Sequence, residues 1–159
     1  MARAILICGK ICCGKTTYAH ELCARHKAVL LSIDELMLTL FGQFLGDKHD
    51  EYARRSEMYL LNKSMQLIKA GTDAVLDWGF WTRESRQAAK RFFEERGVNC
   101  ELHYISICDD IWHKRIQQRN AQALEDPSLA YFVGGNLMDK FRSKFEAPEP
   151  SEIDVWLDV

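Results

Sequence analysis

Short runs rich in Val, Ile and Leu alternate along this chain with longer stretches whose apolar residues recur every three to four positions. That is the pattern of parallel strands joined by crossover helices. The first apolar run is Ala4-Ile5-Leu6-Ile7-Cys8, after which the spacing predicts a helix over 15–26, with Ala19, Leu22 and Cys23 on one face. A second strand is expected over 28–32. A long helix follows over 50–70, where Met58, Leu61, Met65 and Ile68 form an apolar stripe and Gly71 stands at its end. A buried third strand over 74–76 precedes a helix capped by Thr82 and stopped by Gly97, and a fourth strand is expected over 102–107. Asp109 or Asp110 should cap the next helix, which carries Ile111, Ile116 and a basic face. Beyond a break holding Asp126, Pro127, Gly134 and Gly135, Asn136 should cap a last helix. The alternation of Ile153, Val155, Leu157 and Val159 with Asp154, Trp156 and Asp158 reads as a fifth strand.

The 159 residues contain no repeat, linker or low-complexity tract, so one domain over 1–159 is expected. With 47% apolar residues the chain can bury a core, and with 21 basic against 23 acidic residues it has no global field to hold a long polyanion. Long nucleic acid is therefore not an expected partner, whereas a small substrate or a nucleic-acid end is compatible. The opening apolar run is far too short to span a bilayer, and Gly9 and Lys10 interrupt it where a signal peptide would continue. A cytoplasmic protein with no membrane partner is expected. Its six cysteines then read as free thiols, and adjacent Cys12 and Cys13 lack a second Cys/His pair at zinc-ligand spacing.

Gly9-Lys10-Ile11-Cys12-Cys13-Gly14-Lys15-Thr16 matches G-x-x-x-x-G-K-[ST] between a predicted strand and a predicted helix. From average composition, a chance match in a chain of this length is roughly a 1% event. Glycines let successive backbone N–H groups of such a loop converge on phosphate oxygens, and the positive helix end adds its partial charge. Lys15 is the mobile cation for the β- and γ-phosphates, and the Thr16 hydroxyl is the expected protein ligand of Mg²⁺. Thr17 is expected to pack or cap. Cys12 and Cys13 read as small fillers, or as thiols made oxidation-sensitive by the helix end.

Other residues separate the kinds of phosphate-loop protein. The Asn-Lys pair, Asn62-Lys63, is followed by Ser64 and Met65 inside a helical segment, so it is no guanine reader. The third strand ends Val75-Leu76-Asp77-Trp78, without the Asp-Glu pair of an assembly-type ATPase. A small kinase needs a carboxylate beside the acceptor hydroxyl and arginines over the transferred phosphoryl group, and both have candidates. Asp34 closes the second strand where strand ends open to a ligand crevice, and reads as general base, with helix capping as its structural alternative and Glu35 in reserve. Asp77 ends the third strand at the same depth, where it can hold Mg²⁺, orient the substrate or cap a turn. Trp78, Phe80 and Trp81 either offer a flat face to a ring or seal the core edge. Arg83 and Arg86 could clamp a phosphate or lie on a solvated face. Arg119 is expected to neutralise charge on the γ-phosphoryl group and Arg115 to assist at the nucleotide, unless both merely close a basic helix end that also holds Lys114. The lid is expected at about 119–136.

With Gly9 to Thr16, Ser32-Ile33-Asp34, Val75-Leu76-Asp77 and Arg119-Asn120 in this order and spacing, the sequence resembles the small P-loop kinase family. That family includes the polynucleotide kinase kinase domain, zeta toxin and chloramphenicol phosphotransferase. Phe145-Glu146-Ala147-Pro148 is similar to a C-terminal element of bacterial ATP-binding proteins in the group. The resemblance implies a three-layer α/β P-loop fold with a five-stranded parallel sheet in the order 2-3-1-4-5 and a helical lid. It also implies that Asp34 activates the acceptor hydroxyl, that Lys15 and Thr16 hold ATP and Mg²⁺, and that Arg119 serves the phosphoryl group. Relatives acting on nucleic-acid 5′ ends carry an arginine where this chain has Gln122, and another where it has Glu35 to Leu38. They also have Thr-Asn in place of Trp78-Gly79. A small-molecule hydroxyl acceptor is therefore expected, with a 5′-hydroxyl polynucleotide kinase or a nucleotide-binding regulatory module as alternatives.

Overall fold

A computed structural model of the chain describes residues 1–43, 45–127 and 131–159. At its centre lies β1 (Ala4–Gly9), whose six residues are all buried, as a strand covered on both faces requires. β3 (Ala74–Gly79) and β4 (Cys100–Ser106) flank it, with β2 (Val29–Ser32) and β5 (Val155–Asp158) at the edges. Every pairing is parallel and the order is β2-β3-β1-β4-β5, the order implied by the resemblance. Alternate residues of β1 feed two cores. Leu6 and Cys8 join Leu76, Phe80, Phe93 and Leu102 on one face, and Ile5 and Ile7 join Cys13, Leu22, Trp112 and Phe141 on the other. The covering helices are α1 (Lys15–His26), α2 (Ile33–Phe41), α3 (His49–Lys69), α4 (Arg83–Glu94), α5 (Asp109–Glu125) and α6 (Gly135–Lys144). Among the described residues, no helix is long and apolar enough to cross a membrane.

Several element ends differ from the sequence reading. β3 continues past the apolar run through Asp77, Trp78 and Gly79, because its ladder with β1 resumes after a bulge that sets Cys8 opposite Gly79. The cap of α2 is Ser32, whose Oγ accepts the Glu35 N–H at 3.3 Å, so Asp34 lies inside the first turn instead of capping. α5 starts after Cys108 without a side-chain cap, leaving Asp109 and Asp110 in its first turn, where they still complement the helix dipole. α6 starts after Gly134, so Asn136 is not its cap. Thr82 does cap α4, accepting the Ser85 N–H at 3.1 Å.

Arg86 is neither a phosphate clamp nor a solvated residue. Its side chain is 2% exposed and bonds Glu152 twice, at 3.0 and 3.1 Å. Its remaining Nη1 donates to the carbonyls of Phe80 at 3.2 Å and Glu146 at 2.8 Å. The Arg83 amide donates to the Glu146 carboxylate at 2.6 Å, and its guanidinium reaches Glu149 at 3.3 Å. The two arginines thus fasten the acidic C-terminal stretch against the turn that follows β3.

Candidate functional site

The turn between β1 and α1 is shaped by two left-handed residues, Cys12 (φ 59°) and Gly14 (φ 104°). Gly9 serves close approach: a Cβ there would stand 2.6 Å from Cys13 Sγ and 2.9 Å from the Ile105 carbonyl. Ile11 and Cys13 bury their side chains in the core, so they can meet a ligand only through their backbone. Helix α5 braces this turn through several side chains. Trp112 Nε1 donates to the Ile11 carbonyl at 2.5 Å, and Arg115 Nη1 donates to the Cys13 carbonyl at 2.7 Å. Lys10 turns away from the cleft to pair with Asp109 at 2.9 Å, its ammonium 4.5 Å from the Trp112 ring centre. Asp109 and Trp112 escaped the sequence reading because about a hundred residues separate them from their partners.

The turn opens into a cleft of about 1200 Å³ at the C-terminal ends of the strands. Thr17 is exposed on its wall and so neither packs nor caps as expected. Lys15 Nζ donates to the carbonyls of Lys10 at 2.6 Å and Gly9 at 3.3 Å. Thr16 Oγ1 donates to Asp77 Oδ2 at 2.8 Å, with Asp77 nearly buried at the end of its strand, opposite Ile7 and Ser32. A hydroxyl beside a carboxylate is a hard-oxygen pair that fits Mg²⁺.

Asp34 lines the same cleft and is exposed to it. Enclosure by the surrounding protein raises its pKa above the usual carboxylate value. Arg119 opposes that rise most strongly, nearby Asp77 adds to it, and Lys15 and His49 oppose it. The side chain nonetheless stays open to the cleft. Arg119 donates from Nε to the Tyr131 carbonyl at 3.2 Å and from Nη1 to Cys12 Sγ at 3.7 Å. Burial raises the Cys12 thiol pKa despite Arg119 and Lys15, which favours the thiol over the thiolate. Of the three aromatics after Asp77, Phe80 seals the core at 1% exposure, while Trp78 and Trp81 line the cleft.

Arg119 and Asn120 stand in the body of α5, which runs to Glu125, so the segment at 119–136 expected as a helical lid opens inside that helix. Residues 128–130 of that lid lie outside the described residues. The Asn120 amide holds Val133 in both directions: its Nδ2 donates to the Val133 carbonyl at 3.0 Å, and its Oδ1 accepts the Val133 N–H at 2.7 Å. Gln43 bridges in the same manner, donating to the Pro127 carbonyl at 2.7 Å and accepting the Phe132 N–H at 3.3 Å. These bonds set Tyr131 against His49, ring centroids 5.9 Å apart. Asn120 belongs to the Arg119-Asn120 pair already singled out, whereas Tyr131, His49 and Gln43 carry no periodic or motif signal of a shared site, and only the folded chain brings them together.

Residues 5–148 match the family model of the AAA domain. The chain belongs to the AAA domain family. Comparison with curated proteins finds no match for this AAA domain. Among solved structures it is similar to the Mycobacterium tuberculosis APS kinase CysC in complex with AMPPNP and APS, with 14% identity, a TM-score of 0.70, and coverage of 99% of this chain and 88% of that one. Chaetomium thermophilum Kti12 in complex with ADP-AlF3 is similar at 14% identity and a TM-score of 0.70, covering 98% of this chain and 88% of that one. A sugar kinase from Janibacter matches at 17% identity and a TM-score of 0.66, covering 99% of this chain and 86% of that one. The fold of this AAA domain is therefore that of the P-loop kinases.

Proposed function

We propose that this AAA domain transfers the γ-phosphate of ATP to a hydroxyl group of a small-molecule acceptor, with Mg²⁺ as cofactor. The observation that carries this reading is the placement of the Asp34 carboxylate in one cleft with Lys15, Thr16, Asp77 and Arg119. Fold likeness to proteins solved with AMPPNP and with ADP-AlF3 supports the nucleotide. The backbone amides from Gly9 to Thr16 cradle the phosphates, Lys15 bridges the β- and γ-phosphates, and Arg115 and Thr17 face the nucleotide from either side. Thr16 and Asp77 would hold Mg²⁺, which when bound neutralises charge on the phosphate oxygens. Asp34 accepts the proton of the acceptor hydroxyl and aligns it on the γ-phosphorus. Arg119 lies against charge that builds on the transferred group.

A screen with labelled ATP across hydroxylated metabolites, antibiotics and oligonucleotides tests the reading. An acceptor labelled by the wild type and by neither Lys15→Ala nor Asp34→Ala is the expected result; no labelled acceptor, or labelling that survives both changes, would sink it. Lys15→Ala should also weaken ATP binding by about 10–100-fold in calorimetry, the worth of one charge-assisted hydrogen bond. Turnover requires ionised Asp34, so kcat/KM should fall as pH drops through its raised pKa, above the ordinary carboxylate range near 4. Arg119 is the strongest group holding that pKa down. Arg119→Met should therefore move the acid limb of the profile to higher pH, and an unmoved or lowered limb would show that Asp34 does not govern it.

A further inference from the structure

The basic side chains on the cleft wall come from α1 and α5, namely Lys15, His20, Arg25, Arg115 and Arg119, with His49 as the one exception. The opposite wall, built from α2, the end of β3, the start of α3 and Tyr131, presents the carboxylates of Asp34, Glu35 and Asp77 and no lysine or arginine among the described residues. His49 already faces the Asp50 carboxylate at 3.5 Å. An anionic acceptor on this wall would meet three like charges, and the nearest arginine, Arg119, which bonds the Tyr131 carbonyl, is the one the phosphotransferase reading assigns to the transferred group. Of the cations on the α1 and α5 side, Lys15, Arg115 and Arg119 are those that the phosphotransferase reading gives to the nucleotide and the transferred group.

The same wall holds two unused donors. Trp78 Nε1 and Tyr131 Oη are buried polar atoms without a hydrogen-bond partner, and both residues line the cleft. Both rings also pack on the apolar group formed by Ile33, Met37 and Leu60, which places them around the base of Asp34's helix. Burial, with the nearby Asp34 charge, pushes the Tyr131 phenol up to about 12, so it keeps its proton for donation at neutral pH. Buried donors left unpaired are costly, and their persistence beside a ligand cleft points to a partner that arrives with the ligand.

Resting on the phosphotransferase reading above, we infer that the acceptor is an uncharged hydroxyl compound with further oxygen or nitrogen acceptors, held by hydrogen bonds from Trp78 and Tyr131 and not by a cation. The aromatic faces beside these donors suit the apolar face of a ring.

Calorimetric titration of the full chain saturated with AMPPNP and Mg²⁺ tests this with matched neutral and anionic probes: glucose against gluconate, adenosine against AMP, and 1-phenyl-1,2-ethanediol against mandelate. At least one neutral member should bind tenfold or more tighter than its anionic counterpart. Tyr131→Phe and Trp78→Phe should each weaken that neutral probe by about three- to tenfold, the range of one neutral hydrogen bond, with AMPPNP affinity unchanged. Tyr131→Phe should not lower the Tm of the ligand-free protein, because its hydroxyl has no bond to lose. An anionic member binding as tightly as its neutral partner, or no neutral member binding, overturns the inference while leaving nucleotide binding intact. A Tyr131→Phe chain of lowered Tm and unchanged probe affinity also overturns it. Failure of AMPPNP to bind at all overturns the phosphotransferase reading and this inference together.

Discussion

Replacing Asp34 with Asn is expected to lower kcat for phosphate transfer by about 10²–10⁴-fold while leaving ATP affinity within about twofold, the effect of removing a general base without disturbing nucleotide contacts. The substitution is clean for structural reasons. Ser32, not Asp34, caps α2, so the helix start keeps its bond to the Glu35 amide. The side chain opens on the cleft, and what Asn removes is its charge interaction with Arg119, Lys15 and His49. Asn retains the shape but cannot take a proton at neutral pH. Steady-state kinetics beside calorimetry with ATP provide the check. A parallel loss of nucleotide affinity would give Asp34 a structural role, and unimpaired turnover would remove it from the chemistry.

Replacing Arg86 with Ala should destabilise the fold by about 3–5 kcal/mol, the usual consequence of stripping one partner from a buried ion pair. Denaturant unfolding measures this directly, and on a chain of this size it corresponds to a Tm fall of roughly 6–20 °C. The change strands Glu152, whose side chain is 12% exposed, and removes the donor that serves the carbonyls of Phe80 and Glu146. A paired change of Arg86 and Glu152 to methionine and glutamine should recover part of the loss, since no buried charge is then left alone. The pH dependence has a definite sign. Hydrogen bonds from Arg86 hold the Glu152 pKa below its ordinary value, against the effect of burial. Its contribution is complete above the unfolded pKa of about 4.3 and disappears as pH falls through the lowered folded value. The wild type and Arg86→Ala should therefore converge in stability in acid. A loss below 1 kcal/mol at pH 7 would show that the C-terminal stretch does not depend on this arginine.

The sheet was readable from the chain because a strand covered on both faces must be a short continuous apolar run, and Ala4 to Cys8 is one. Helix α1 was equally legible, since its apolar face and the glycine before it follow local rules that the folded chain obeys. Element ends were harder. β3 runs on to Gly79 because β1 still pairs with it beyond Asp77, a fact that no local pattern contains. The phosphate loop, Asp34 and Asp77 could be named in advance because each sits at the end of an apolar strand run. Arg86 misled because an arginine in the first turn of a helix usually meets solvent, and its partner Glu152 lies 66 residues away. Tyr131 and His49 were invisible for the same reason: their meeting depends on bonds from Gln43 and Asn120 to a stretch without periodicity.

The bonds of Lys15 bear on which anions this loop can distinguish. Its ammonium donates to the carbonyls of Gly9 and Lys10. Binding therefore swaps one set of acceptors for another, and the net gain is the difference between them. An isolated small anion offers few oxygens to make that swap worthwhile. A polyphosphate chain offers oxygens to the lysine and to the loop amides simultaneously, so discrimination by ligand length is already contained in a side chain that is never idle.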